Sequence, residues 1–229
     1  MSQRIFITGA GRGLGLELVR QYADAGARIF AAARRPGDEL LRLASARPHQ
    51  ITLIELEVTD EESLRAAVAA VRAQTDALDV LVNNAGINRR EIGLGRYTAA
   101  LMLESLHVNA VAPILVGQAF LELLRRGDAP RLVNISTQIG SFTWNQSGMA
   151  PLYAASKAAL NMYTRAFARE ATGITTVAVH PGWVQTDMGG KDATLTPAES
   201  VRHLRALIER IGPADSGQFF NYDGRPHAF

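Results

Sequence analysis

Tyr153 and Lys157 stand four residues apart in the run Tyr153-Ala154-Ala155-Ser156-Lys157. On a helix that spacing puts both side chains on one face. A free tyrosine has a pKa of about 10, too high for efficient proton transfer near neutrality. An adjacent ammonium favours the phenolate and lowers that value. The pair is therefore a candidate proton donor and acceptor. By itself the pattern is common, and its plain reading is a surface aromatic–lysine pair. A second feature, about 140 residues earlier, gives it weight.

That feature is Thr8-Gly9-Ala10-Gly11-Arg12-Gly13-Leu14-Gly15, a glycine run between an apolar strand-like segment and an amphipathic helix-like one. Glycines there permit a tight turn and let a pyrophosphate approach backbone N–H groups at a helix N-terminus. No Gly-Lys-Ser/Thr follows, so this is not the phosphate loop of a nucleotide triphosphatase. The context predicts a dinucleotide site. The second strand ends Ala31-Ala32-Ala33-Arg34-Arg35, and the first acid beyond it is Asp38. An NAD site usually places an acid here for the ribose hydroxyls. Two arginines suit a 2′-phosphate instead, with Arg12 in position to join them. The pattern favours NADP over NAD, against the plain reading of two solvated surface arginines.

These residues need elements to position them, and short apolar runs alternate with helix-length amphipathic segments. Strands are expected at Arg4–Thr8, Arg28–Ala33, Ile51–Leu56, Val80–Val82, Arg131–Ile135, Thr175–Val179 and Gln218–Phe220. Helices are expected at Leu14–Ala25, Glu39–Ala46, from Thr59 to about Gln74, at Leu152–Ala171 and at Pro197–Ile211, the last capped by Thr196. A long helical region over Thr98–Arg126 carries expected interruptions near Asn109 and Pro113. An Asp223-Gly224 turn follows the last strand. This alternation predicts an α/β fold, a doubly wound parallel sheet with helices on both faces. No Gly/Ser/Pro linker divides the chain, so residues 1–229 are expected to form one domain.

Composition narrows the chemistry. The 229 residues include 47% hydrophobic and 20% charged, with 24 basic against 22 acidic side chains. That balance argues against disorder and against a nucleic-acid partner, since the basic residues are scattered. No cysteine is present, which excludes thiolate catalysis, disulfides and Cys-ligated metal. The five histidines show no metal spacing. The charge-free stretch between His107 and Glu122 is too short to span a bilayer and reads as a buried helix. Met1-Ser2-Gln3-Arg4 leads straight into an apolar run without a signal peptide, so a soluble cytoplasmic protein is expected.

Taken together, these motifs resemble the short-chain dehydrogenase/reductase family over essentially the whole chain. Thr8–Gly15 matches its cofactor turn, Asp60 its adenine-contacting acid, and Asn83-Asn84-Ala85-Gly86 its fourth-strand motif. Asn109 is similar to its helix asparagine, Tyr153 and Lys157 to its catalytic pair, and Pro181-Gly182 to the turn after its sixth strand. Leu160-Asn161-Met162 and the run Pro181–Met188 resemble the branch of C-factor and sniffer-type carbonyl reductases. The resemblance implies a Rossmann-type sheet of about seven parallel strands and hydride transfer between NADP and a small-molecule carbonyl or alcohol. It implies that Tyr153 protonates the carbonyl oxygen, that Lys157 holds the nicotinamide ribose and lowers the phenol pKa, and that Asn109 orients a water. It extends the cofactor contacts over Gly9, Gly11, Arg12, Gly13, Leu14, Gly15, Asn84, Ala85, Gly86, Pro181, Gly182, Val184 and Thr186. Thr186 would contact the nicotinamide amide or the pyrophosphate.

One position departs from the family. Where it usually has serine, Asn134-Ile135-Ser136-Thr137 places Thr137, so Thr137 is expected to supply the hydroxyl that orients the substrate. Strand alternation lets only one of Ser136 and Thr137 face the nicotinamide. Ser141 is a weaker rival. Plainer readings stay open: Asp60 as a helix-starting acid, Asn83 and Asn84 as strand-end hydrogen-bonders, Asn109 without a relay role, Thr137 as a β-favouring residue. Phe142, Trp144, Met149, Trp183 and Met188 flank the inferred site, as an apolar pocket or as packing. Helices matching Thr98–Arg126 and Leu152–Ala171 form a dimer interface in many relatives while some reductases of this type are monomers, so a homodimer, a homotetramer and a monomer all stay open. A dinucleotide-binding signalling role on the same fold is the competing function.

Overall fold

The computed structural model describes residues 2–89 and 93–229. Seven strands form a single parallel sheet: β1 (Arg4–Thr8), β2 (Arg28–Ala33), β3 (Ile51–Glu55), β4 (Val80–Asn83), β5 (Arg131–Ile135), β6 (Thr175–His180) and β7 (Phe219–Asn221). Their spatial order is β3-β2-β1-β4-β5-β6-β7. The order reverses between β1 and β4, and the crevice at the strand C-termini there is where such sheets bind ligands.

The helices are α1 (Gly13–Asp24), α2 (Asp38–Ala46), α3 (Glu61–Arg72), α4 (Ala99–Leu106), α5 (Ala112–Ala119), α6 (Leu121–Arg125), α7 (Pro151–Glu170) and α8 (Pro197–Arg210). The expected boundaries hold to within about two residues. Period-two alternation explains why the strands read as unbroken apolar runs. Ile5, Ile7, Val80, Val82, Val133 and Val179 meet α1, α2 and α8 on one face. Phe6, Phe30, Leu81 and Leu132 meet α3, α5 and α6 on the other.

The long helical region is broken differently from expectation. A π-helical turn, His107–Val111, centres on Asn109. Pro113 causes no break: it lies just after the π-helical turn, and the helix runs on through it to Ala119. The next interruption comes at Phe120. The run Ala99–Ala119 spans 21 residues with mean hydropathy 1.6, long and apolar enough on those terms to cross a membrane. The charge-free window underestimated it by excluding Glu104 and His107. In the fold this run packs against α7.

Candidate active site

The β1–α1 turn meets the sequence expectation closely. Gly9 sits at φ +66°, and a Cβ there would lie 2.9 Å from Ala85 Cα. A Cβ on Gly15 would lie 2.2 Å from the Gly9 carbonyl oxygen, so only glycine lets α1 come this near β1. Thr8 fastens the turn to the end of β4. Its hydroxyl accepts the N–H groups of Asn84 and Ala85 at 3.0 and 3.1 Å. The Asn84 amide returns the link, donating to the Thr8 and Gly9 carbonyls. The four-residue sequence expected to contact cofactor therefore also braces the turn.

Beyond this brace, the N-terminus of α1 has no capping side chain and no acid in its first turn. Its leading N–H groups have no intrahelical acceptor by construction. With the helix dipole behind them, they fit a phosphate. This is the observation on which a pyrophosphate fits the cradle.

The basic residues divide. Arg34 and Arg35 are exposed past the end of β2. Arg34 lies 3.4 Å from Glu57, while Arg35 has no acidic partner among the described residues. Arg12 does not join them. It pairs at 2.8 Å with Asp187, on the segment after β6. That segment approaches the glycine turn at Thr186, whose Cγ2 would be 3.3 Å from a Cβ on Gly13. It is shaped by Gly182 at φ +84°, by the Val184–Leu195 bridge, and by the Ser200 hydroxyl donating to Pro181 O at 2.6 Å. Asp60 caps α3, accepting the N–H groups of Glu62 and Ser63 at 2.8 and 2.9 Å.

Helix α7 carries the reactive pair. The Lys157 ammonium donates to Ile135 O at 2.7 Å and lies 5.9 Å from the Tyr153 ring centre. A Cβ on Gly86 would come within 3.8 Å of that ammonium and 3.1 Å of Asn109 Oδ1, so β4, the π-helical turn and α7 converge here. Burial pushes the Lys157 ammonium down to about 7 and the Tyr153 phenol up to about 12. The expected lowering of the phenol by Lys157 is absent from the protein's own electrostatics: desolvation acts on both groups and opposes charge on each. Burial thus favours the neutral phenol of Tyr153 near neutrality.

Asn109 is fully buried and both of its amide hydrogens are engaged. It accepts from Ile87 N–H and donates to Ile87 O, both at 2.8 Å, and donates to Ser156 Oγ at 3.0 Å. Ser156 in turn donates to Tyr153 O at 2.7 Å. The Asn109 Oδ1 accepts one hydrogen bond and keeps a second acceptor position. At the end of β5 the two hydroxyls separate as alternation requires. Ser136 is buried and donates to Asn161 Oδ1 at 2.6 Å. Thr137 accepts Ile139 N–H at 3.3 Å and, among the described residues, donates to no protein atom. Ser141 is also buried and accepts Trp144 N–H. Phe142, Trp144, Met149, Trp183 and Met188 are exposed rather than core.

The family model for short chain dehydrogenase matches residues 3–195. The chain belongs to the short chain dehydrogenase family. It is 42% identical over 157 residues to C-signal of Myxococcus xanthus, covering 68% of this chain and 95% of that protein. It is similar over its whole length to the NADPH-bound carbonyl reductase from chicken fatty liver, with a TM-score of 0.91, 37% identity and 99% of that chain covered. The carbonyl reductase Sniffer of D. melanogaster matches with a TM-score of 0.94 and 31% identity, all of both chains being covered. The short-chain dehydrogenase architecture, seven parallel strands between two helical layers, is the one expected from sequence.

Sequence reading missed three contributors to this site: Thr8, Ser156 and the Ile135 carbonyl. Thr8 was legible as a hydroxyl at a strand end before glycine. The other two depend on which atoms the folded chain brings within reach.

Proposed function

We propose that this protein is an NADP-dependent carbonyl reductase, moving hydride between NADPH and an aldehyde or ketone. The observation that carries the reading is Tyr153 on one helix face with Lys157, whose Nζ lies against Gly86 in the same run after β4 that braces the glycine turn. When bound, NADPH supplies the hydride. The N–H groups of Gly13, Leu14 and Gly15 hold its pyrophosphate, and Arg35 with Arg34 holds the 2′-phosphate. Neighbouring structures support that cofactor: one carbonyl reductase was solved with NADPH and another, from Pseudomonas aeruginosa, with NADP.

The Thr137 hydroxyl, whose proton no atom of the described residues accepts, orients the substrate oxygen. Tyr153 gives that oxygen its phenolic proton. Lys157, anchored on Ile135 O, holds the nicotinamide ribose. Asn109 acts as a positioning residue, bracing the first turn of α7 through Ser156. Gly9, Gly11, Asn84, Ala85, Gly86, Pro181, Gly182, Val184 and Thr186 shape the walls. Asp60 reaches the adenine only with the carboxylate oxygen that the helix cap leaves available. NADPH oxidation against a panel of aldehydes, ketones, quinones and pteridines tests the reading: no substrate-dependent oxidation with any member defeats it.

The 42% identity to C-signal favours one second reading, a dinucleotide-binding signalling protein. Tyr153→Phe separates the two: it abolishes reductase output and leaves a signal that depends only on binding. Exposed Met102, Leu103, Val111 and Tyr163 line or flank a cleft of about 440 Å³ between α4 and α7, away from the Tyr153–Lys157 face. They support self-association through these helices, which sedimentation velocity reads directly.

A further inference from the structure

We propose that Asn161 is a positioning residue for this reaction, acting through Ser136 to fix where the Thr137 hydroxyl stands relative to Tyr153. The proposal rests on the reductase reading above. Asn161 follows Lys157 by four residues and Tyr153 by eight, so the three share a face of α7. It is buried, as is Ser136, and an apolar pair would fill such a place without needing polar partners. Instead Ser136 Oγ donates to Asn161 Oδ1 at 2.6 Å, and the Asn161 amide lies 3.5 Å from Gly140 O.

These contacts bracket Thr137. On its N-terminal side, Ser136 is held twice, by Asn161 and by its own N–H donating to Val179 O at 2.7 Å. On its C-terminal side, Gly140 rests against α7, where a Cβ would lie 2.9 Å from the Lys157 backbone carbonyl carbon. Gly140 N–H then closes on Thr137 O at 3.0 Å. The segment from Ser136 to Gly140 is therefore registered against the helix that carries Tyr153. If the Ser136–Asn161 rung is lost, the strand end can slide, and small misplacements of reacting groups are costly in rate.

A second buried rung provides the control. Asn134 donates to Thr164 Oγ1 at 2.9 Å, and Asn134 Oδ1 accepts from Asn83 at the same distance. This rung also ties β5 to α7, but it lies on the far side of Ser136 from Thr137. It serves cohesion rather than placement.

The test compares Asn161→Ala, Ser136→Ala, their double variant and Thr164→Val. Measurements are steady-state kinetics, NADPH affinity by fluorescence, thermal midpoint, and amide hydrogen exchange over residues 137–141. The first two variants should each lower kcat roughly tenfold with NADPH affinity unchanged, and the double variant should be no worse than either. Ser136→Thr, which keeps the hydroxyl, should restore most of kcat. Exchange over 137–141 should quicken in the two alanine variants and stay slow in Thr164→Val, whose midpoint falls while kcat holds. Intact kcat in folded Asn161→Ala, unaltered exchange over 137–141, or an equal kcat loss in Thr164→Val overturns the proposal. A wild-type protein that reduces no carbonyl defeats the reductase reading, and the exchange comparison still decides whether Asn161 holds the segment.

Discussion

Lys157 is buried, and burial brings its ammonium down to about 7, which makes it a source of pH dependence in stability. Between about pH 7 and the unfolded value of about 10.4, the unfolded chain binds this proton and the folded one does not. Stability from this group therefore rises with pH across that window. Lys157→Met should stabilise the protein at pH 6 by on the order of 2 kcal/mol, after allowing for the lost hydrogen bond to Ile135 O. The gain should vanish as pH approaches 10, read by chemical denaturation at several pH values. Tyr153→Phe should retain NADPH binding and lose roughly 10²–10⁴-fold in kcat, because the ring still packs and only the donor goes. Near-normal turnover would remove Tyr153 from the acid role. At Thr137, replacement by Ala should lower kcat/KM at least tenfold, with Thr137→Ser tolerated, as expected from loss of one hydrogen bond near the reacting oxygen. Tyr153 and Lys157 were legible as residue types at fixed spacing, and Thr137 only through the family resemblance. The partners of Asn109 were not, because Ile87 and Ser156 lie 22 and 47 residues away.

Elements set the cofactor preference and the tolerance of the glycine turn. Gly15 and Gly26 look alike in sequence but differ in what surrounds them. A Cβ on Gly15 collides with a backbone oxygen, whereas Gly26, at φ +81°, faces open space. Gly15→Ala should cost roughly 1–3 kcal/mol and abolish dinucleotide binding, since α1 must move from β1. Gly26→Ala should cost about 1 kcal/mol through its left-handed backbone alone and leave binding intact. Differential scanning fluorimetry with and without NADPH checks both. Replacing Arg34 and Arg35 with Ala should weaken NADPH about tenfold to a hundredfold and NADH little, the worth of charged hydrogen bonds. Equal loss for the two cofactors would place the 2′-phosphate elsewhere. Sequence put Arg12 with these two, but tertiary structure pairs it with Asp187, 175 residues on. No local pattern reports a partner brought from the sixth crossover.

At the scale of the molecule, Asp79 joins the starts of β1 and β4 to the turn before β5. One oxygen accepts the Arg4 N–H at 2.7 Å, the other accepts the Asp128 N–H and the Arg4 guanidinium at 2.8 Å. Burial alone would raise its carboxyl, but the hydrogen bonds and charge of Arg4, with that of Asp128 N–H, outweigh it and hold it below its ordinary value. A depressed folded pKa contributes stability above the unfolded value of about 3.9 that is lost as pH falls through the folded one. Asp79→Ala should destabilise by about 3 kcal/mol at pH 7, because two N–H groups and a guanidinium lose their acceptor. The gap from wild type should narrow below pH 4, measured by urea denaturation.

Sequence by itself determined the βα alternation, the glycine turn, the Tyr153–Lys157 face and the departure at Thr137, because each rests on spacing within one element or across one turn. Period-two and period-3.6 patterns report which side of an element is apolar, and so they report layers. Tertiary structure decided the rest. It decided that Asn109 sits in a π-helical turn against Ile87 and Ser156, that Asp60 caps α3, and that Ser136 turns to Asn161 while Thr137 donates to no other described residue. It also decided that burial, not the neighbouring ammonium, governs the phenol of Tyr153. These outcomes depend on desolvation and on hydrogen-bond partners tens of residues apart, quantities that exist only once the chain has closed on itself.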